Sequence, residues 1–263
     1  MNEITFAIVL VTGIGLLSGV ILSVASVFMA VPKDRKEEEI RAMLPGANCG
    51  ACGFSGCDSY AEAMASGKAK PGLCTVGGAK TAGALADYLG VKAVGAAPKV
   101  SVVRCLGSRD NTSDSAEYEG IAACAAAVQT AGSAAGCRYG CIGLGDCVQA
   151  CPYGAISIRN GVAMVEPEKC VGCGECVPVC PKHLLALVPV KKQAVVLCSS
   201  CSRGAVVTKV CKTGCIGCMR CEKVCRFGAV HVTDFLARID PEKCVGCGEC
   251  AAVCPRGIIF LKG

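Results

Sequence analysis

The chain has 263 residues, a formal net charge of +6 and 25 cysteines. Cysteines at this density are typical of small secreted proteins with many disulfides. That class is excluded here because the chain is long, its cysteine number is odd and most cysteines fall in short runs with metal-ligand spacing. Each cysteine that binds a metal is a thiolate. Five or six clusters with four thiolates each would bring the net charge to roughly −4 to −6, so the formal basicity predicts no nucleic-acid partner.

The first predicted element is an apolar helix, because residues 4–31 contain no charged side chain. About 20 apolar residues span a bilayer. The alternative, a signal peptide, would need a basic start that residues 1–3 lack. Residues 1–31 are therefore expected to form an uncleaved transmembrane anchor, with Gly15 and Gly19 suited to packing against other membrane subunits. By the positive-inside rule, the basic residues that follow place the rest of the chain in the cytoplasm: Lys33, Arg35 and Lys36.

Residues 32–80 are expected to form a small α-rich domain, and residues 81–101 a linker. The domain contains a C-x2-C-x4-C-x16-C pattern with glycine-rich loops, which predicts one [4Fe–4S] site; a structural zinc site is the alternative. The predicted ligands are Cys49, Cys52, Cys57 and Cys74.

An internal repeat then sets the architecture. Residues 102–190 and 191–263 each contain two cysteine runs separated by short apolar strand patterns, which predicts two tandem ferredoxin-like modules, the first with an insertion. The polar loop 107–120 of this insertion is expected to be exposed. The predicted fold class is α+β.

Two runs have the complete C-x2-C-x2-C-x3-C-P spacing of bacterial ferredoxins. In such runs three thiolates bind one [4Fe–4S] cluster and the fourth binds the neighbouring cluster. The glycines between the cysteines let the loop curl at low steric cost, and the proline ends it. The ligands are Cys170, Cys173, Cys176 and Cys180 in one run, and Cys244, Cys247, Cys250 and Cys254 in the other.

The two upstream runs depart from this spacing. The later one has all its ligands (Cys215, Cys218, Cys221 and Cys225), with Arg226 in place of the usual proline. The earlier one has Cys141, Cys147 and Cys151, but Leu144 occupies the second ligand position and leucine cannot bind iron. Cys137 is the nearest substitute in the sequence; the alternatives are a three-iron cluster or none. Cys180 is expected to serve this imperfect site.

Five cysteines remain outside these runs. The repeat relates Cys105 to Cys198 and Cys124 to Cys211, and Cys201 stands alone. We expect four of the five to bind an additional cluster; the alternative is that they are buried free thiols. The sequence thus predicts five [4Fe–4S] clusters, or six with this site.

Motifs for other chemistry are missing from the sequence. It contains no dinucleotide-binding or phosphate-binding loop and no nucleophile system, so no catalytic residue and no flavin or NAD site is expected on this chain. A non-redox zinc scaffold is the alternative from another class of protein.

The order of these features resembles the B subunit of the Rnf complex, the ion-translocating ferredoxin:NAD oxidoreductase. The resemblance rests on the anchor, the segment LPGANCGACGFSGC and the tandem ferredoxin modules, covers nearly the whole chain, and is closest to the clostridial form with two modules. It implies a location at a bacterial inner (cell) membrane. It also implies that soluble ferredoxin donates electrons, which pass to membrane and flavin/NAD subunits while Na⁺ or H⁺ is translocated. Two alternatives are the same electron path in a complex that reduces a redox-sensing transcription factor, and a stand-alone membrane polyferredoxin.

Overall fold

The computed structural model describes residues 3–28, 34–92, 97–113, 118–130 and 136–262. Its architecture is α+β, as predicted. An apolar N-terminal helix precedes a small helical domain and two modules, each built from short helices and two antiparallel two-stranded sheets.

The N-terminal helix α1 spans Glu3–Phe28. Its window Phe6–Ser26 has a mean hydropathy of 2.4, and none of it is buried against the protein. At 1.5 Å per residue, the 26 residues extend about 39 Å, more than the hydrocarbon core of a bilayer at about 30 Å. By length and composition α1 can therefore cross a membrane. The expected end of the apolar run at Val31 lies outside the described residues.

The helical domain packs three helices around one small core. Ile40, Tyr60 and Leu85 come from different helices, and each is at most 1 % exposed. Arg41 and Asp58 form an ion pair of 2.6 Å between the first two helices. The helices are α2 (Arg35–Met43), α3 (Cys57–Ala65) and α4 (Gly78–Leu89).

Helix α4 corrects the expected boundary between domain and linker. A boundary at residue 80 falls inside this helix, and its buried Leu85 lies in the core of the helical domain. The helix ends where Gly90 adopts φ +65°, a left-handed conformation that suits a C-terminal glycine. The first module begins with a strand at Lys99, so the segment expected as linker 81–101 is shorter than the sequence indicates.

The first module is held together by two strand pairs. Its first and last strands pair with each other, and the pair between them forms a hairpin. The hairpin turns at Asn160 and Gly161, whose φ angles of +48° and +78° suit a tight Asn-Gly turn. The strands are β1 (Lys99–Val103), β2 (Ile156–Arg159), β3 (Val162–Val165) and β4 (Leu185–Pro189), and the helices are α5 (Cys124–Thr130) and α6 (Asp146–Gln149).

The second module repeats this topology, which confirms the predicted tandem arrangement. Its first and last strands pair, and a hairpin lies between them. Three of the ten buried residues in its core are cysteines, and further cysteines pack against them. The strands are β5 (Gln193–Val196), β6 (Val230–Thr233), β7 (Leu236–Ile239) and β8 (Ile259–Lys262), and the helices are α7 (Gly204–Val210), α8 (Arg220–Val224) and α9 (Glu249–Ala252).

The modules are joined through the segment that follows β1. Residues 109–111 form a short 3-10 helix, and the chain around it bonds to the loop that follows α7. Part of the loop 107–120, expected to be exposed, is therefore partly covered by the second module; residues 114–117 lie outside the described part. The hydrogen bonds run from Lys212 N to Asn111 O (2.7 Å), from Ser113 N to Val210 O (3.0 Å) and from Thr213 Oγ1 to Leu106 O (3.1 Å).

Candidate iron–sulfur sites

The cysteines gather into groups of four, each built from thiols alone. Within the described residues, no three His, Cys, Asp or Glu side chains converge closely enough to hold a single metal ion. The fit of a larger iron–sulfur group is therefore assessed from the cavities that the thiols surround.

The N-terminal site takes its cysteines from the loop before α3, from the first residue of α3 and from the loop between α3 and α4. Burial raises the pKa of Cys74, and the nearby Cys57, Cys49 and Cys52 thiols raise it further. Gly77 N donates a hydrogen bond of 3.3 Å to Cys74 Sγ. The structure thus brings together the four cysteines that the sequence predicts for this site.

The first-module outer site is a cavity with an empty volume of about 310 Å³. Ser101 contacts two of its sulfurs: its N–H donates to Cys170 Sγ at 3.3 Å, and its hydroxyl lies 3.4 Å from Cys176 Sγ. The fourth cysteine comes from the upstream run, as ferredoxin spacing predicts. The cavity is lined by Cys151, Cys170, Cys173 and Cys176.

The first-module inner site contains the main correction to the sequence analysis. Its cavity, with an empty volume of about 390 Å³, is lined by Cys141, Cys147, Cys180 and Cys124. Leu144 stands at a ligand position and cannot bind iron. The fourth cysteine of this cavity is Cys124 and not the expected Cys137.

Cys124 reaches this cavity because a contact links α5 to α6, two helices that are distant in the sequence. Cys124 is the first residue of α5. The Cys124 and Ala125 N–H groups donate to the Asp146 carboxylate at 2.8 and 3.1 Å. Since Asp146 begins α6, directly before Cys147, this contact holds the start of α5 beside the inner cavity.

The bridging site lies between the modules. Its cavity, with an empty volume of about 370 Å³, is lined by two cysteines from each module: Cys105 and Cys137, and Cys198 and Cys211. Three of these belong to the group expected to form an additional site, and Cys137 is the fourth. Cys201 instead packs against the second-module core.

A sequence signal for this site exists, although the sequence analysis paired Cys124 with Cys211. Cys137 precedes Cys141 by the same spacing with which Cys211 precedes Cys215, in the segments CRYGC and CKTGC. Cys137 is therefore the repeat counterpart of Cys211. The bridging site is built from two repeat-related pairs.

The second module holds two further sites. Its inner site has an empty volume of about 350 Å³ and is lined by Cys215, Cys218, Cys221 and Cys254. Its outer site is identified from Cys250, whose pKa is raised by burial and then by the Cys244, Cys247 and Cys225 thiols. Both groups follow the exchange of the fourth cysteine that ferredoxin spacing predicts.

Burial in these cavities disfavours the ionised form of the cysteine thiols. It raises the pKa of Cys105 and of Cys147 to about 12 and that of Cys221 to about 11. Without a metal these thiols are neutral at physiological pH, and a bound metal replaces the proton. Four thiols around a cavity, with backbone N–H donors at the sulfurs, fit a [4Fe–4S] cluster.

Sites of this kind on a ferredoxin-like fold define a multi-centre iron–sulfur protein. Two family models match the chain: an Fe-S cluster family at residues 44–76 and the 4Fe-4S dicluster domain at residues 137–184 and 214–258. The ranges include the N-terminal site and both pairs of module runs. Five cysteines lie outside them: Cys105, Cys124, Cys198, Cys201 and Cys211.

Relatives extend the match to nearly the whole chain. The chain is 40 % identical to the B subunit of the ion-translocating oxidoreductase complex of Methanosarcina acetivorans, over 97 % of each chain. It is 40 % identical to the B subunit of the Na⁺-translocating ferredoxin:NAD⁺ oxidoreductase complex of Acetobacterium woodii, over 92 % of this chain and 73 % of the relative. Identity to the corresponding subunit of the proton-translocating complex of Clostridium ljungdahlii is 38 %, over 91 % of this chain and 85 % of the relative. The chain belongs to the family of B subunits of ion-translocating oxidoreductase (Rnf) complexes.

Proposed function

We propose that this chain is the iron–sulfur electron-transfer subunit of a membrane-bound ferredoxin:NAD oxidoreductase that couples electron flow to Na⁺ or H⁺ translocation. The names of two relatives supply the reaction and differ in the ion. The observation that supports this proposal is that the cysteine sites form an unbroken series from the helical domain to the end of the second module.

The first link of the series joins the helical domain to the first module. Thr75 Oγ1 donates a hydrogen bond of 3.3 Å to the Gly172 carbonyl, in the loop of the first-module outer site. Tyr153 lines that site. Burial raises the pKa of Tyr153, and thiols of both sites, including Cys173 and Cys49, raise it further. The N-terminal and first-module outer sites are therefore neighbours.

The next links meet at the bridging site. Cys141 N, from the first-module inner site, donates to Cys105 Sγ at 3.5 Å. Cys215 N, from the second-module inner site, donates to Cys198 Sγ at 3.3 Å. These repeat-related hydrogen bonds support a bridging site between the two inner sites.

We propose six [4Fe–4S] clusters on this chain. Each cluster, when bound, carries one electron at a time at a potential set by its surroundings. The cysteines provide the thiolate ligands, and backbone N–H groups donate hydrogen bonds to their sulfurs. The fold of the chain sets the order of the sites. The proposed ligand sets are Cys49, Cys52, Cys57 and Cys74; Cys151, Cys170, Cys173 and Cys176; Cys124, Cys141, Cys147 and Cys180; Cys105, Cys137, Cys198 and Cys211; Cys215, Cys218, Cys221 and Cys254; and Cys225, Cys244, Cys247 and Cys250.

The second module is the proposed entry point for electrons from soluble ferredoxin. Cys218 and Cys247, from its two sites, are exposed. Exposed apolar and basic side chains lie beside them in the chain, among them Met219, Arg220 and Val245. An apolar contact area with cations near it suits a transient complex with an anionic electron donor.

The other end of the series points to the membrane. The N-terminal site lies in the domain that follows α1, and Arg35 and Lys36 begin that domain. Positive charge close to a spanning helix supports a cytoplasmic location for the cluster domains. We propose that electrons leave there for the membrane and flavin/NAD subunits of the complex.

The function is tested on full-length protein purified anaerobically from membranes. Reduced soluble ferredoxin should bleach the visible absorbance, with about six electrons accepted per chain, one per cluster. A colourless protein with bound zinc would refute the proposal. Copurification tests the complex: a tagged chain should bring down polytopic membrane subunits and a flavoprotein, whereas recovery alone would favour a stand-alone polyferredoxin.

A further inference from the structure

The bridging site has a single charged residue in its lining, whereas each inner site has two. Asp146 and Lys182 line the first-module inner site, and Arg220 and Arg256 line the second-module inner site. Among the described residues that line the bridging cavity there is no acidic side chain, and the one charged side chain is that of Arg104.

Arg104 has a buried donor without an acceptor in the described part of the chain. Its Nη2 donates to the His183 carbonyl at 2.9 Å, which fixes the guanidinium in place. Its Nε is buried and has no hydrogen-bond partner among the described residues. A buried N–H of a charged group without an acceptor is costly, so an acceptor at this position is to be expected, and sulfur atoms in the bridging cavity would provide one.

The repeat shows that this guanidinium is not required by the backbone. Leu197 occupies the corresponding position before Cys198. Arg104 N donates to Leu184 O and Leu197 N donates to Ile258 O, each at 2.8 Å. The same local backbone therefore accepts leucine in one module and arginine in the other, so the strand itself does not require the arginine.

The physical effect of Arg104 follows from charge. Reduction adds one negative charge to a cluster, and burial opposes that charge. Cys211 is only 7 % exposed, and the other three cysteines of the bridging site are half-buried. A fixed guanidinium beside the cavity favours the added charge, in the way that an opposite charge favours ionisation of a buried group.

We infer that Arg104 is a positioning residue that donates a hydrogen bond from Nε to the bridging cluster and raises its reduction potential, so that the site between the two modules accepts electrons. This inference rests on the proposed six-cluster function. It names the residue that sets the properties of the link between the two modules.

The test is a redox titration of the full-length protein, monitored by electron paramagnetic resonance. The C198S variant first identifies the bridging component as the signal that it lacks. R104L gives the first module the leucine that the second module has at this position. This variant should keep its full iron content and lower the midpoint potential of that component by about 59 mV, a tenfold change in the one-electron equilibrium constant. The other components should stay in place. R104Q, which keeps an N–H donor without the charge, should give a smaller shift.

Lys212 provides the matched control. It lies next to Cys211 but is exposed, so the K212L variant removes an equal charge that solvent screens. Its midpoints should match those of the wild type.

Two results would overturn the inference. One is an unchanged midpoint in R104L with full iron content. The other is loss of about four irons in both Arg104 variants, which would show that Arg104 maintains the fold of the site. If C198S lacks no component, the bridging cluster itself is absent, and the six-cluster function fails together with the inference.

Discussion

The exchange of Cys124 and Cys137 between two sites can be tested by counting iron. Six clusters of four irons give about 24 irons per chain. In the structure Cys105 shares its cavity with Cys137, whereas Cys124 lines the first-module inner site. The assignment drawn from the sequence was the reverse, with Cys124 beside Cys105.

Double variants separate the two assignments, because two substitutions in one site remove one cluster and two substitutions in different sites remove two. From the structure, C105A/C137A should reduce the iron content from about 24 to about 20, and C105A/C124A should reduce it to about 16. The sequence-based assignment gives the opposite result for each pair.

The assay is iron and acid-labile sulfide per chain in full-length protein purified without oxygen. C201A is the control for cysteine loss as such: Cys201 packs against the second-module core, and its removal should cost no iron. Equal iron loss in the two double variants, or a larger loss in C105A/C137A, would refute the assignment of sites.

Three further predictions concern backbone, metal and docking. The G246A variant should lose the second-module outer cluster, because Gly246 has φ +70° and an added Cβ would lie 2.6 Å from Lys192 O. Gly257 is the control, since it has φ +57° and nothing lies within 4 Å of an added Cβ. The G257A variant should lose about 1–2 kcal/mol of stability in thermal unfolding and keep its iron. Equal iron in both variants would contradict this explanation. Removal of iron by a chelator should abolish the strand signal in circular dichroism but keep part of the helix signal, since cysteines form much of the core of the second module; retention of both signals would contradict it. The exposed pair R220E/K223E should slow reduction by ferredoxin at low salt and lose this effect at high salt, and an effect independent of salt would exclude electrostatic steering.

The ferredoxin runs were predictable because their chemistry is local. Three thiols on one tight loop are positioned by glycines within that loop, so spacing alone identifies them. The exchange of the fourth cysteine between runs was also predicted, and the structure places Cys151 and Cys180 accordingly.

The ligand at the imperfect run was not predictable from nearness in the sequence. Cys137 is closer to Cys141 than Cys124 is, yet the contact that decides is between Asp146 and the N-terminal N–H groups of α5. Such a contact depends on tertiary structure. The CRYGC and CKTGC segments did carry a usable signal, because repeat-related positions occupy equivalent places in equivalent folds.

The insertion in the first module explains how two ferredoxin modules become one series of sites. Residues 104–113 contact the second module, and the segment that follows supplies Cys124 to the inner site and Cys137 to the bridging site. In the proposed assignment, a single stretch of chain thus replaces the ligand missing at Leu144 and completes the bridging site, and the same stretch contacts the second module. Since these three roles share one segment, a change there alters ligands and docking together, whereas either module alone would keep its outer site.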